Sequence, residues 1–261
     1  MLKKYASVYQ EFIQHSFSEA MSYRLHFILL IVMDLLFYFS LLGSVEFIFQ
    51  HVETIGPWGR SEFMFFTAFM IAIDHLHMTF ISESFWNLST DIRTGKLDFV
   101  LLKPIASLFQ IFFRYIRPGT LLNFFVPWGF LIYFGLELEL NALAWFSLPF
   151  LVLLGLALLV SVEILISMSM FWTIESFGIN FLRMQMQQLS RWPDFIYRFY
   201  ARKFFSLVIP VLLIGSAPVK FLLDQSQWQL MLLMLGLTTA SWLLTGFLWK
   251  RGLRFYESAS S

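Results

Sequence analysis

The sequence predicts an all-α integral membrane protein, with six transmembrane helices behind an N-terminal amphipathic interfacial helix. Three observations carry that reading. First, the chain is 58% hydrophobic and only 13% charged, with a mean hydropathy of +0.70. Soluble domains carry roughly 25% charged residues, so this chain has too little polar surface to cover itself in water. Second, its apolar residues gather in runs that reach the ~20 residues a helix needs to cross the hydrocarbon. Third, Lys and Arg sort to one side of those runs. The net charge of +1 comes from dispersed basic residues that form no basic face, so no nucleic-acid partner is expected. The absence of Cys excludes disulfides and thiolate metal sites. No small-residue cleavage site follows the first apolar run, so no signal peptide is expected.

Residues 3–22 carry apolar side chains at Tyr5, Val8, Tyr9, Phe12, Ile13, Phe17, Ala20 and Met21, a spacing of threes and fours. That puts one stripe on a helix, opposite Lys3, Lys4, Gln10, Glu11, Gln14, Ser18 and Glu19. Such a helix suits the membrane–water interface, its aromatic face among the headgroups; the alternative is a helix packed on a soluble partner. Residues 1–24 form this unit, 25–249 the membrane domain and 250–261 a cytoplasmic tail.

The first span is 25–49, followed by a polar turn at Gly56-Pro57-Trp58-Gly59. The second is 63–81. Residues 91–105 then hold Asp91, Arg93, Lys96, Asp98 and Lys103, punctuated by Gly95 and Pro104, which reads as a short structured loop and not a continuing helix. Residues 105–117, with Arg114 and Arg117, form an interfacial lead-in to a third span at 118–135. A fourth span covers about 143–171 and the last covers 228–249.

Two segments compete for the fifth span. Hydropathy selects 204–217, short for a crossing. Residues 172–190 are helical in propensity but carry Glu175, Asn180, Arg183, Gln185, Gln187 and Gln188, a polarity tolerable only toward a bundle interior or a pathway. In that case 204–217 is a re-entrant piece buried by protein. With both termini cytoplasmic and 204–217 as the span, 16 of the 18 Lys and Arg lie inside, leaving Arg60 and Lys220. With 172–190 as the span, eleven remain inside. The orientation survives either choice, and 91–105 is cytoplasmic in both.

No phosphate-cradling Gly-x-x-x-x-Gly-Lys-Ser/Thr loop exists: Leu97 follows Gly95-Lys96, and Thr90 stands where the first glycine belongs. No nucleophile–base arrangement is visible either, so the chain is not expected to be an enzyme. Asp74, His75 and His77 in the second span come nearest to a metal or proton site. His75 and His77 lie roughly 200° apart on a helix and cannot share an ion, whereas Asp74 and His77 are spaced to pair with each other. Asp34 and Glu163 read as buried partners in helix interfaces. Trp58, Trp145 and Trp228 near outer ends, and Trp86, Trp172 and Trp249 near inner ends, fit an aromatic belt.

The pattern Gly95-x-Leu97-Asp98-x-x-Leu101-Leu102-x-Pro104 resembles the signature loop of ABC-2-type exporter permeases, in a branch of six-span bacterial permeases of about this length. Tyr23-Arg24, Gly56-Pro57-Trp58, Phe171-Trp172, Pro193, Ile209-Pro210, Pro218 and the closing Arg251-Gly252-Leu253-x-x-Tyr256-Glu257-Ser258 match the same branch. The resemblance implies a multi-pass subunit of the bacterial cytoplasmic membrane that dimerises with itself or a related permease. It also implies a separate ABC ATPase subunit that carries the ATP and Mg; this chain would hold no cofactor. The coupling helix would fall within residues 84–103. Asp91, Arg93, Lys96 and Asp98 would pair with the ATPase surface, Leu97, Leu101 and Leu102 would fill an apolar groove, and Lys103 and Pro104 would close the loop. A re-entrant hairpin before the last span is also implied, which favours 172–190 as the fifth span. Glu175, Asn180, Arg183, Gln185 and Gln188 are then candidates for the cargo path. The competing reading is a membrane scaffold that recruits a cytoplasmic partner and moves nothing. An ion-driven secondary transporter is disfavoured, because no inverted repeat or pair of broken helices is visible.

Overall fold

The computed structural model describes residues 2–173 and 177–256, and the described chain is helical throughout. Four described helices are long and apolar enough to cross a membrane. In chain order the helices are α1 (Leu2–Ser22), α2 (Arg24–Phe49), α3 (Arg60–Phe80), α4 (Ser82–Arg93), α5 (Lys96–Leu101), α6 (Ser107–Phe112) and α7 (Pro118–Leu122). They continue with α8 (Phe125–Glu137), α9 (Ala142–Ser167), α10 (Met170–Thr173), α11 (Phe177–Ser190), α12 (Phe199–Leu207), α13 (Leu213–Leu223) and α14 (Trp228–Gly252).

Helix α3 is the axis. Of its apolar window 89% is buried, against 17% for α2 and 22% for α14, so α3 is wrapped by protein while α2 and α14 present apolar flanks outward. The wrapping comes from α2, α7, α8, α9 and α13. Helix α3 opens on a capping interaction in which the Gly59 amide donates to the Glu62 carboxylate at 3.0 Å.

Two proline-containing segments depart from continuous helices. The expected third span is divided: α7 ends at Leu122 and α8 begins at Phe125. Pro127 accounts for the break, since it offers no amide hydrogen and its ring crowds the Asn123 carbonyl four residues back. Residues 204–217 are not one helix, because the chain turns over between Leu207 and Leu213 around Pro210. The turn is closed by the Leu212 amide donating to the Phe205 carbonyl at 3.0 Å. The resulting α12–α13 hairpin drives α13 into the bundle, where Leu213 through Val219 are all buried. Gly155 of α9 permits this approach, since a Cβ there would stand 3.0 Å from the Ile214 carbonyl oxygen and 2.6 Å from Ile73. Pro149, by contrast, lies inside an α9 that runs unbroken.

Residues 91–105 are more helical than expected. Helix α4 runs through Arg93, and Gly95 alone breaks it, adopting the left-handed φ of 71° before α5 starts. Two of the expected belt tryptophans, Trp58 and Trp249, are buried in the core instead. The amphipathic stripe of α1 is engaged within the chain: Tyr5 meets Phe109 of α6 edge-on at 5.1 Å, and Tyr9 and Phe12 flank the same ring. Lys4 Nζ donates to the Pro104 carbonyl at 2.8 Å, and the Ala106 amide donates to Tyr5 Oη at 3.2 Å.

Candidate functional site

Two layers of structure meet at the inner end of the bundle, taking the side of α4 and α5 as inner. The first is the surface of α4 and α5. Their apolar residues divide by helix face. Phe85, Leu88, Leu97 and Val100 are buried in a cluster with Ile111 and Phe112 of α6, Val160 and Ile164 of α9, and Trp249 of α14. The opposite face exposes Phe99 (70%) and Leu102 (81%), with Trp86 also partly exposed. Arg93, Lys96, Lys103 and Pro104 are exposed around them.

This geometry corrects the sequence reading of α5. Leu97 points inward, because Leu97, Val100 and Leu101 occupy the side of α5 that packs on α4 and α6, and only Leu102 of the expected leucines stands fully out. Phe99 belongs to the outer face and was not singled out. Its spacing of three from Leu102, with Lys96 one turn before, was the available signal. Asp91 is also buried. Burial raises its carboxyl pKa, and the charges of Arg114 and Lys96 partly offset that. Tyr256, from the end of α14, has its phenol pKa pushed up to about 12, by burial first and then by the carboxylate of Asp98.

The second layer is a buried ionic layer between α3, α9 and α11. Glu163 of α9 takes a hydrogen bond from Arg183 Nη1 at 2.9 Å and lies 2.5 Å from His77 Nε2. All three side chains are almost wholly inaccessible. One turn further on α11, Gln187 donates to Asp74 at 3.0 Å, and beyond the helix end Arg191 Nε donates to the same carboxylate at 2.8 Å. Residues 183, 187 and 191 recur every four positions, so they form one stripe. That stripe, together with buried Ile179 and with Met186 and Leu189 against the apolar core, fastens α11 to the bundle. The expected Asp74–His77 pair does not form. Asp74 turns toward Gln187 and Arg191, while His77 pairs with Glu163 of α9 and lies 3.5 Å from the Gln187 amide.

Asp34 accepts from Thr120 Oγ1 of α7 at 2.6 Å, and Tyr38 Oη lies 3.2 Å from His75 Nδ1. Of the expected path residues, Asn180 and Arg183 are buried, while Gln185 and Gln188 lie on the exposed face of α11 beside Phe181, Leu182 and Met184. Glu175 falls outside the described residues. Among the described residues, no three His, Asp or Glu converge on a metal-sized site.

The two layers touch through Phe85. The Arg183 guanidinium lies 4.5 Å from the centre of the Phe85 ring and 5.8 Å from that of Trp86. His77 stacks on the same Phe85 ring at 6.2 Å. On its other side Phe85 packs on Phe112, which packs on Trp249.

A bundle of long apolar helices with an interior ionic layer and an exposed polar–aromatic surface at one end defines a multi-span membrane protein. The chain matches the family described as "ABC-2 family transporter protein" over residues 19–260. It belongs to that family, and is therefore a membrane permease component and not an enzyme. No curated protein and no solved structure matches it.

Proposed function

We propose that this chain is the membrane-spanning subunit of an ATP-driven exporter, and that α4 and α5 receive a separate ATPase subunit at the cytoplasmic face. The contact between Phe85 and Arg183 carries the proposal, because it joins the exposed surface to the interior of the bundle in a single residue-to-residue step. A partner engaging Trp86, Phe99 and Leu102 would pull on α4, and α4 would carry Arg183 and His77 with it. Exposed aromatic and leucine side chains serve as anchors at such surfaces, while the surrounding charges Arg93, Lys96 and Lys103 set partner choice.

In this reading α11, with the segment before it, is the fifth of six spans. The α12–α13 hairpin re-enters from the outer side, and both termini are cytoplasmic. The α11 face that carries Gln185 and Gln188 lines the cargo path at a seam with a second permease, either a copy or a relative. Gln185 and Gln188 are exposed, and their side chains have no hydrogen-bond partner among the described residues, which supports that placement. The non-transporting scaffold would use the same surface without needing a charged layer behind it.

The test is co-purification in mild detergent from the native host, followed by assay of ATP hydrolysis. A P-loop ATPase is expected in stoichiometric amount with the wild type and absent with the Phe99→Asp/Leu102→Asp variant. Both changes sit on an exposed face, so the variant is expected to fold. A chain that brings down no ATPase supports the scaffold instead.

A further inference from the structure

A cavity of about 670 Å³ opens between the polar side of α1 and residues 103–115, and its walls carry opposite charges. Lys103 and Arg114 line one side, while Glu11 and Glu19 of α1 line the other. Among the described residues no ion pair closes across it: none of Lys103, Arg114 or Glu11 has an ionic partner within bonding distance, and Glu19 meets only His15 of its own helix at 3.9 Å. Arg114 is held in place, its guanidinium 4.4 Å from the Tyr115 ring centre and bonded to the Tyr115 hydroxyl. Burial raises the Tyr115 pKa, and the neighbouring Arg114 charge offsets part of that. The frame is also fixed, because Ser16 Oγ of α1 accepts from the Ile116 amide at 3.4 Å and Lys4 is bonded to Pro104.

The cavity's level in the structure selects its occupant. Arg24 starts α2 two residues after α1 ends, and Pro118 starts α7 three residues after Tyr115. Both walls therefore stand where the apolar helices begin, which is headgroup depth if those helices cross the membrane as proposed above; the inference rests on that reading. A purely anionic headgroup would satisfy Lys103 and Arg114 but would face two carboxylates. A headgroup with a phosphate next to an ammonium satisfies both walls at once. We infer that this cavity binds a zwitterionic phospholipid of the phosphatidylethanolamine type, the phosphate on Lys103 and Arg114 and the ammonium on a carboxylate of the α1 wall, Glu11 or Glu19, and that the bound lipid seats α1 against the loop beside α5.

The experiment is native mass spectrometry of the delipidated full chain titrated with dioleoyl-phosphatidylethanolamine or dioleoyl-phosphatidylglycerol. The wild type is expected to retain one phosphatidylethanolamine in preference to phosphatidylglycerol. Arg114→Gln removes a charge-assisted contact and should weaken retention of both by about tenfold. Glu11→Gln/Glu19→Gln, two exposed changes on α1, should reverse the preference toward phosphatidylglycerol. Equal retention of the two lipids by the wild type, a wild-type preference for phosphatidylglycerol, or no reversal in the glutamine variant overturns the inference. Competition by soluble glycerophosphoethanolamine as strong as that of the lipid also overturns it, in favour of a soluble ligand. The depth reading is checked separately. The chain has no cysteine of its own, so a single Ser7→Cys, exposed on α1 and away from the cavity, reports by bimane fluorescence whether α1 contacts the bilayer surface, whatever the lipid preference.

Discussion

Glu163 lies where an uncompensated charge is most costly, and two side chains from two other helices converge on its carboxylate. Removing one member of a buried ion pair typically costs about 3–5 kcal/mol, whereas replacing both by apolar residues is often neutral. Arg183→Met should therefore lower the unfolding midpoint in detergent markedly. Glu163→Met/Arg183→Met should recover most of the loss, because no charge is then stranded. Scanning fluorimetry of the wild type, the two single variants and the double variant measures this; a double variant as unstable as the sum of the singles would sink the pairing. The ionisable residues themselves were legible in the sequence, since Asp34, Asp74, His77, Glu163 and Arg183 each interrupt an apolar or helical run. Their partners were not. Same-helix spacing suggests only Asp74 with His77, and the true partners stand 20 to 117 positions away. The stripe of 183, 187 and 191 was visible in principle, but Arg191 lies just past the segment read as a span.

At the scale of elements, α4 and α5 show how burial sorts a charged loop. Asp91 belongs to the buried face. Burial raises its pKa, with Arg114 and Lys96 partly offsetting that, so the fold favours the protonated form more than the unfolded chain does. The stability that protonation adds is fully present below the ordinary carboxylate pKa and is lost as pH rises through the raised value. The wild type should thus lose stability from mildly acidic to neutral pH. Asp91→Asn should flatten that slope and be at least as stable at neutral pH. Unfolding midpoints across an acidic-to-neutral series decide it: a lower midpoint for the Asn variant at neutral pH would mean that Arg114 and Lys96 hold the charged form after all. The long apolar helices were readable from hydropathy and length. The breaks were less so, because Pro127 and Pro210 end helices while Pro149 lies inside α9 without ending it, and local sequence does not separate these cases. The burial of α13 was hidden for a related reason: an apolar helix of 11 residues reads as too short to matter until α3 and α9 are seen around it.

At the scale of the whole molecule, the bundle has two chemically different ends, and the difference predicts its orientation. One end holds α1, α4, α5 and the close of α14, with Arg93, Lys96, Lys103, Lys250 and Arg251 exposed among them. The other end is tied by mixed-charge contacts: Arg60 bridges Glu46 at 2.8 Å and Glu137 at 3.3 Å, and Asp194 gathers Arg202 and Lys220. Arg60, Arg202 and Lys220 at this second end are paired with carboxylates and weigh less against translocation, leaving Arg198 and Lys203 as its exposed cations; the first end carries the larger unneutralised excess and should face the cytoplasm. Single cysteines in this cysteine-free chain test the arrangement in intact cells. Cysteines in place of Glu53 and Ser226, both exposed at the second end, should react with a membrane-impermeant maleimide from outside. Cysteines at Thr94 and Lys103 should react only after permeabilisation. A cysteine at Tyr200, exposed on α12, discriminates further, because the proposed hairpin enters from the outer side. Labelling of Tyr200→Cys from outside, together with Ser226→Cys, is expected if residues 191–227 form one outer segment. Protection of Tyr200→Cys until permeabilisation would place α12 on the inner side, and would require the chain to cross between α12 and α14 through an α13 of 11 residues, too short for the ~20 that a straight crossing needs.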